Sequence, residues 1–337
     1  MIMRAAVISG SYGLDNLKLE ERDVPKPGPG QILVKLKAAS LNYRDLAITS
    51  GFGGDYPLPL VPLSDGCGEV VELGDGVRRV AKGDLVCPSF FQGWLAGPPT
   101  PAALATSFGG PIDGCAEDYV CVSADGVSKA PRNLTPAEAA CLPCAGLTAW
   151  RALFVEGNLK AGDTVLVQGT GGVSIFALQF AKAAGAHVII TSSSDEKLDR
   201  AKALGADQFI NYKKTPDWAS EARKLTGGRG VDHVVEVGGA ETFPQSIMAI
   251  RTGGHIAVIG ILSGLVKDMN VAAMFGQNAK ISGITVGSRQ HFEEMVRAVE
   301  QNDIKPVIDK TYPLEEIVPA LKLMQGASHF GKIVLDI

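Results

Sequence analysis

The residues with the clearest chemical spacing in this chain are Gly169-Thr170-Gly171-Gly172-Val173-Ser174. Gly169 permits a tight turn, and Gly171 lets the backbone approach a pyrophosphate. A helix beginning at Val173 offers its unpaired N–H groups and positive dipole end to the same phosphates. Ser174 stands where this fingerprint usually has a third glycine, which serves close helix–strand packing; serine is small enough to weaken the match without breaking it. A glycine pattern alone is a weak signal, so the flanking elements decide. Thr164–Gln168 predicts a strand, Val173–Ala184 a helix closed by Gly185, and His187–Thr191 a second strand. Strand, glycine turn, helix and strand within about thirty residues form the βαβ unit that binds a dinucleotide.

The choice of coenzyme is read at the end of the second strand. An acidic residue there bonds the ribose 2′-hydroxyl of NAD and repels a 2′-phosphate. This chain has Thr191-Ser192-Ser193-Ser194, with Lys197 a turn further on. Hydroxyls and an ammonium suit a phosphate, so NADP is expected over NAD, with Ser192, Ser193 and Lys197 as its contacts. Asp195 is the rival: either a helix N-terminal charge or the NAD-type carboxylate displaced by two residues.

The elements that position this turn follow from the hydrophobic pattern. The first ~130 residues have strand and turn character, with apolar runs at Ala5–Ile8 and Ile32–Leu36 and an irregular stretch over Gln92–Gly114. Thr135 is a plausible N-cap for a helix opening at Pro136. From Thr164 strands alternate with helices: Gln208–Asn211, Val231–Val237, His255–Ile259 and Lys280–Val286 continue the strands, which predicts a parallel, doubly wound α/β sheet. After Gln290 the alternation breaks, and Gly331–Ile337 reads as a strand able to pair back with the N-terminal part. The expected domains are therefore 1–131 with 290–337, mostly antiparallel β, and 132–289, the dinucleotide-binding part.

Composition bounds the function. Of 337 residues, 46% are hydrophobic and 20% charged, and 32 basic against 36 acidic residues leave a net charge of −4, so no nucleic-acid partner is expected. No apolar run approaches the ~20 residues of a membrane span and no signal-peptide pattern opens the chain, so no membrane partner and a cytoplasmic location are expected. The six cysteines are sparse, and Cys141-Leu-Pro-Cys144 has no second Cys/His pair at metal-binding spacing.

The whole pattern resembles the medium-chain dehydrogenase/reductase family. The carrying segments are Pro62-Leu-Ser-Asp-Gly-Cys-Gly-Glu-Val-Val71, Lys82-Gly-Asp-Leu-Val86, Pro143-Cys-Ala-Gly-Leu-Thr-Ala-Trp150, the Gln168–Ser174 turn and His329-Phe-Gly-Lys-Ile-Val334. Within it the chain is most similar to the zinc-independent quinone oxidoreductases and related alcohol-dehydrogenase-like proteins. The resemblance implies a chaperonin-10-like catalytic domain followed by a Rossmann domain. It places the first two zinc-ligand positions at Asn42 and Ser64 and retains only the third, Cys144; Asn and Ser are poor zinc ligands, so no zinc is expected. A four-cysteine structural zinc lobe would fall in Gln92–Cys121, where only Cys115 and Cys121 stand.

The same resemblance implies that Lys197 and Tyr212 contact the 2′-phosphate. It puts Thr148 near the nicotinamide ring, lines the coenzyme cleft with Val237-Gly238 and Ile259-Gly260, and closes the site with Gly287-Ser288-Arg289 and Phe330-Gly331-Lys332. Oxyanion donors are Asn42, Tyr43 and Tyr56. The expected activity is NADPH-dependent reduction of a quinone or an α,β-unsaturated carbonyl by a homodimer. Metal-free alcohol/carbonyl oxidoreduction, with a Tyr or Ser64 as proton relay, and a coenzyme-binding protein without turnover are the alternatives.

Overall fold

The computed structural model describes residues 1–52, 54, 56–264 and 270–337. The chain divides into two units, Met1–Leu147 with Val286–Ile337, and Thr148–Thr285. Residues 132–147 and 286–289, expected with the dinucleotide-binding part, pack with the first unit instead. The reason lies in local packing. Ser40 Oγ donates to the Ala140 carbonyl at 2.8 Å, the Cys144 amide donates to Asp65, and Gly287 lies against Leu147.

In the second unit six parallel strands lie in the order Gln208–Asn211, His187–Ser192, Thr164–Gln168, Val231–Glu236, Ile250–Val258, Lys280–Gly283. Chain order reverses beside Thr164–Gln168, the first strand of the unit. Ligands of doubly wound sheets bind at the carboxyl end of such a switch point. Val165, Leu166, Val167, Val188, Ile189, Ile190, Val234 and Val235 are fully buried, which is why these strands read as continuous apolar runs. The sixth strand ends at Gly283 rather than Val286.

The first unit is built on a seven-stranded sheet in which Gln31–Ser40 is central. Asp65–Leu73 and Tyr119–Ser123 pair with it antiparallel. The C-terminal strand Lys332–Asp336 also runs antiparallel to it, with Val334 opposite Ser40, and parallel to Ile308–Pro313. The register fixes the chemistry that follows. Ser40 faces Asp65 on one side and Val334 on the other, so Asn42, Ser64 and Lys332 emerge at the same end of the sheet. All six cysteines are unpaired. No helix among the described residues is long and apolar enough to cross a membrane.

Candidate active site

In the second unit the glycine turn links the Thr164–Gln168 strand to the helix Gly172–Ala183. Gly169 has φ +69°, the left-handed region that glycine adopts without strain. Gly171 has an ordinary φ of −78°, and a Cβ placed there meets nothing within 4 Å. The protein itself does not require glycine at 171; the open space before a helix N-terminus fits a phosphate-bearing coenzyme. Ser174, 2% exposed, donates from Oγ to the Gln168 carbonyl at 2.7 Å and so pins the helix to the strand end.

Behind the turn, Glu236 is fully buried at the end of its strand. Its carboxylate accepts from Gln168 Nε2 at 2.7 Å, the Gly238 and Gly239 amides at 2.8 and 2.9 Å, Thr242 Oγ1 at 2.5 Å, and Ser246 Oγ. This carboxylate ties the Val237-Gly238 turn to the glycine turn, and sequence reasoning missed it. Gly260 packs on the Val237 backbone, and its amide and that of Ile259 donate to the Glu236 carbonyl. Thr170 is buried, as is Thr148 in the helical turn Leu147–Trp150.

The 2′-phosphate candidates cluster at the end of the second strand. Ser192 is buried and its Oγ accepts from the Ser194 amide at 3.2 Å; Ser194 caps the helix Asp195–Ala203 through the Lys197 amide. Ser193 and Lys197 are half-buried, and Tyr212 is 41% exposed. Asp195 accepts from Asn211 Nδ2 at 2.6 Å and forms an ion pair with Lys214, which holds its carboxyl below the usual range.

The first unit carries a buried polar cluster. Asn42 precedes the helix Tyr43–Thr49, and Asp45, three residues on, accepts from the Asn42 amide at 2.8 Å. The other oxygen of Asp45 accepts from the Ser64 amide at 3.2 Å and from Arg44 at 3.0 Å, so one carboxylate clamps both segments. Leu63, just before Ser64, has φ 73°, a strained conformation for a non-glycine residue beside this cluster. Lys332, 3% exposed, donates from Nζ to the Leu41 carbonyl at 2.5 Å and to Asn42 Oδ1 at 2.6 Å. Asn42 Nδ2 donates to Ser64 Oγ at 3.3 Å, and Ser64 Oγ donates to Asp65 Oδ1 at 2.7 Å. The second Asp65 oxygen accepts from the Cys144 amide at 3.0 Å. Burial pushes the Asp65 carboxyl up, opposed by the Lys332 ammonium. Burial also pushes the Cys144 thiol well above its ordinary range, with Asp65 adding to the shift.

Tyr43 is half-exposed, and Tyr56 is half-buried with its backbone held by the Tyr12 hydroxyl. The three residues placed at the coenzyme by resemblance, Phe330, Gly331 and Lys332, have these surroundings in the first unit. The Phe330 side chain is core, 1% exposed. Gly331 is demanded by φ +80° and by the Val307 carbonyl, 2.4 Å from where a Cβ would be. Lys332 belongs to the Asn42 cluster. Ser288 is the N-cap of the helix Arg289–Gln301, its Oγ accepting from the His291 amide.

A parallel sheet with a phosphate-ready glycine turn at its switch point, in a chain with a second, antiparallel unit bearing a buried polar cluster, defines a dinucleotide-dependent oxidoreductase. Comparison with known proteins places it. Residues 28–132 match the family model for the alcohol dehydrogenase GroES-like domain, and residues 172–301 that for zinc-binding dehydrogenase. The chain is 49% identical to a zinc-type alcohol dehydrogenase-like protein of Schizosaccharomyces pombe, covering all of both. A solved NAD-dependent alcohol dehydrogenase is 37% identical with a TM-score of 0.91, over 99% of both chains. A cobalt- and zinc-bound thermostable alcohol dehydrogenase from Pyrobaculum aerophilum is 30% identical with a TM-score of 0.86, over 100% of both. The chain belongs to the medium-chain dehydrogenase/reductase superfamily and is an alcohol dehydrogenase-like, NAD(P)-dependent oxidoreductase.

Zinc is implied by these names, and the residues at the corresponding place do not fit it. A catalytic zinc takes three protein ligands, normally thiolate, imidazole or carboxylate. Here the first position is an amide whose oxygen holds a buried ammonium. The second is a hydroxyl bonded to a carboxylate, which leaves the Cys144 thiol as the one usual zinc ligand of the three. Among the described residues no group of three His, Cys, Asp or Glu is placed to hold a metal.

Proposed function

We propose that this oxidoreductase works without zinc and uses NADPH to reduce a quinone or an α,β-unsaturated carbonyl. The observation that carries the reading is the hydrogen-bonded chain Lys332–Asn42–Ser64–Asp65, at the positions the family resemblance assigns to the first two zinc ligands. NADPH, when bound, supplies the hydride. The chain's own residues hold and polarise. The 169–173 turn takes the pyrophosphate, with Val237-Gly238 and Ile259-Gly260 braced beside it by Glu236. Ser193, Lys197 and Tyr212 take the 2′-phosphate, helped by Ser192. Asp195 is engaged by Asn211 and Lys214, which favours phosphate over the ribose hydroxyl of NAD.

For the substrate, Asn42 presents a donor. Its Oδ1 is fixed by Lys332, so Nδ2 is the donor end; an amide nitrogen carries two hydrogens, and Ser64 takes one. The other, which also bears on the Asp65 carboxyl, is the one offered to the substrate oxygen, strengthened by the ammonium behind the amide. A conjugated acceptor spreads its developing charge and needs no stronger Lewis acid. Tyr43 and Tyr56 are the proton donors within reach of solvent. A second reading, alcohol/carbonyl oxidoreduction without metal, is favoured by one observation: the Ser64–Asp65 contact at 2.7 Å is a hydroxyl–carboxyl pair able to relay a proton.

The assembly expected is a homodimer. Lys280–Gly283 is the edge strand of its sheet, and the adjoining helix Val271–Gly276 exposes Val271 at 69% and Phe275 at 84%. NADPH oxidation measured with a quinone, an enone, an aldehyde and no acceptor tests the activity, before and after dialysis against a strong chelator. Turnover with quinone or enone that survives chelation is expected. Turnover with the aldehyde alone, or loss of activity restored by zinc, would overturn the reading.

A further inference from the structure

A cavity of about 510 Å³ opens on the first unit, and it shares no lining residue with the Asn42 cluster. That volume lies within the range of small-molecule sites, about 300–1,000 Å³. Its floor is apolar: Met3, Phe108, Val120 and Val122 are each no more than 6% exposed. Glu117 stands in its wall, itself 5% exposed, and its carboxyl has no hydrogen-bond or ion-pair partner among the described residues. A buried carboxyl is normally bonded or paired, because desolvation without compensation is costly. Burial first, then the charge of Asp113, pushes this carboxyl up to about 8.

The surroundings say what would compensate it. Three carboxyl residues line the cavity, Asp23, Asp113 and Glu117, against the guanidinium of Arg22. Arg22 is already committed to Asp113 at 3.6 Å, and Asp113 also accepts from the Val61 amide at 2.8 Å. The wall glutamines are turned to the backbone: Gln31 accepts from the Gly28 amide at 2.9 Å, and Gln92 donates to the Ser89 and Gly126 carbonyls. The site therefore offers apolar contact and one acid that, among the described residues, no hydrogen bond or ion pair holds, opposed electrostatically by Arg22 alone and set in a surround with more carboxyls than cations. That combination repels anions and rewards a cation attached to an apolar body.

We propose that this cavity binds a small organic amine, its ammonium paired with Glu117 and its apolar part packed on Phe108, Val120 and Val122. Titration calorimetry of the full chain with benzylamine, benzamide and benzoate tests it, since the three share a ring and differ in charge. Saturable benzylamine binding is expected, at least tenfold tighter than either counterpart. Glu117→Gln should weaken it at least tenfold. Ile112→Trp, which fills the cavity from its more exposed side and leaves Glu117 intact, should do the same, each variant keeping a wild-type circular dichroism spectrum. Absence of saturable benzylamine binding, equal binding of benzamide or benzoate, or unchanged affinity in both folded variants would overturn the proposal.

Discussion

A lysine ammonium 3% exposed is costly unless its charge is answered, and Lys332 is answered by the Leu41 carbonyl, Asn42 Oδ1 and the nearby Asp65. Lys332→Met keeps the aliphatic stem and removes both the charge and the hydrogen bond that orients the Asn42 amide. If Asn42 is the oxyanion donor, kcat should fall on the order of 100-fold. KM for NADPH should stay put, because the Lys332 ammonium is committed to the Leu41 carbonyl and Asn42 Oδ1. Steady-state kinetics decides; a matching loss of NADPH affinity with kcat intact would return Lys332 to the coenzyme role its sequence position suggested. The local sequence carries one hint of the observed role: Gly331–Leu335 is apolar apart from this lysine, a lone charge in a buried strand. Its partner lies 290 positions away, and only strand register brings the two together. Ser174 was legible as a tolerated small residue; that its hydroxyl bonds the Gln168 carbonyl depends on the geometry of the turn and not on spacing.

At the scale of elements the reading went further. The strands of the second unit and its first helix were legible because they are apolar in period and the helix is closed by Gly185, and the strand Thr164–Gln168 stands as expected to the residue. The helix Tyr43–Thr49 and the wide helical turn Leu142–Gly146 were not. The first is seven residues long with its start fixed by an Asn42–Asp45 clamp, and the second is held by tertiary bonds such as Cys144 to Asp65. The two glycines of the nucleotide turn look alike in sequence and differ in cause. Gly169 is required by a positive φ, whereas Gly171 has an ordinary φ and open space around its missing side chain. Gly171→Val should therefore leave the thermal midpoint within about 2 °C of wild type, as for a surface substitution within ±0.5 kcal/mol. It should nonetheless raise the dissociation constant for NADPH at least tenfold, read by fluorescence titration. A large stability loss with unchanged NADPH affinity would make Gly171 a packing residue.

Across the whole molecule, stability depends on buried groups that titrate in opposite directions. At the amino end of the parallel sheet the rings of His233 and His255 lie 5.9 Å apart. His233 Nε2 meets Asp163 at 3.1 Å, while His233 Nδ1 and both His255 nitrogens are buried without partners. Burial lowers both, His255 to about 4. Depressed in the folded state, they favour folding above the ordinary value of 6.5, and that contribution is lost as pH falls from 6.5 toward 4. For His255 the loss is on the order of 3 kcal/mol. Glu117 works the other way: raised from 4.5 to about 8, it gives up stability as pH rises across that window. Thermal melts of wild type and two variants between pH 4 and 8.5 separate these contributions. His255→Phe removes nitrogens that bond nothing, so its midpoint should gain on wild type as pH drops below 6.5. Glu117→Gln should gain on wild type as pH climbs above 4.5, levelling off beyond 8. Parallel curves for His255→Phe and wild type would show that His255 is hydrated and takes up its proton at the same pH in the folded and unfolded chain; parallel curves for Glu117→Gln would show that its carboxyl is already ionised and solvated at neutral pH.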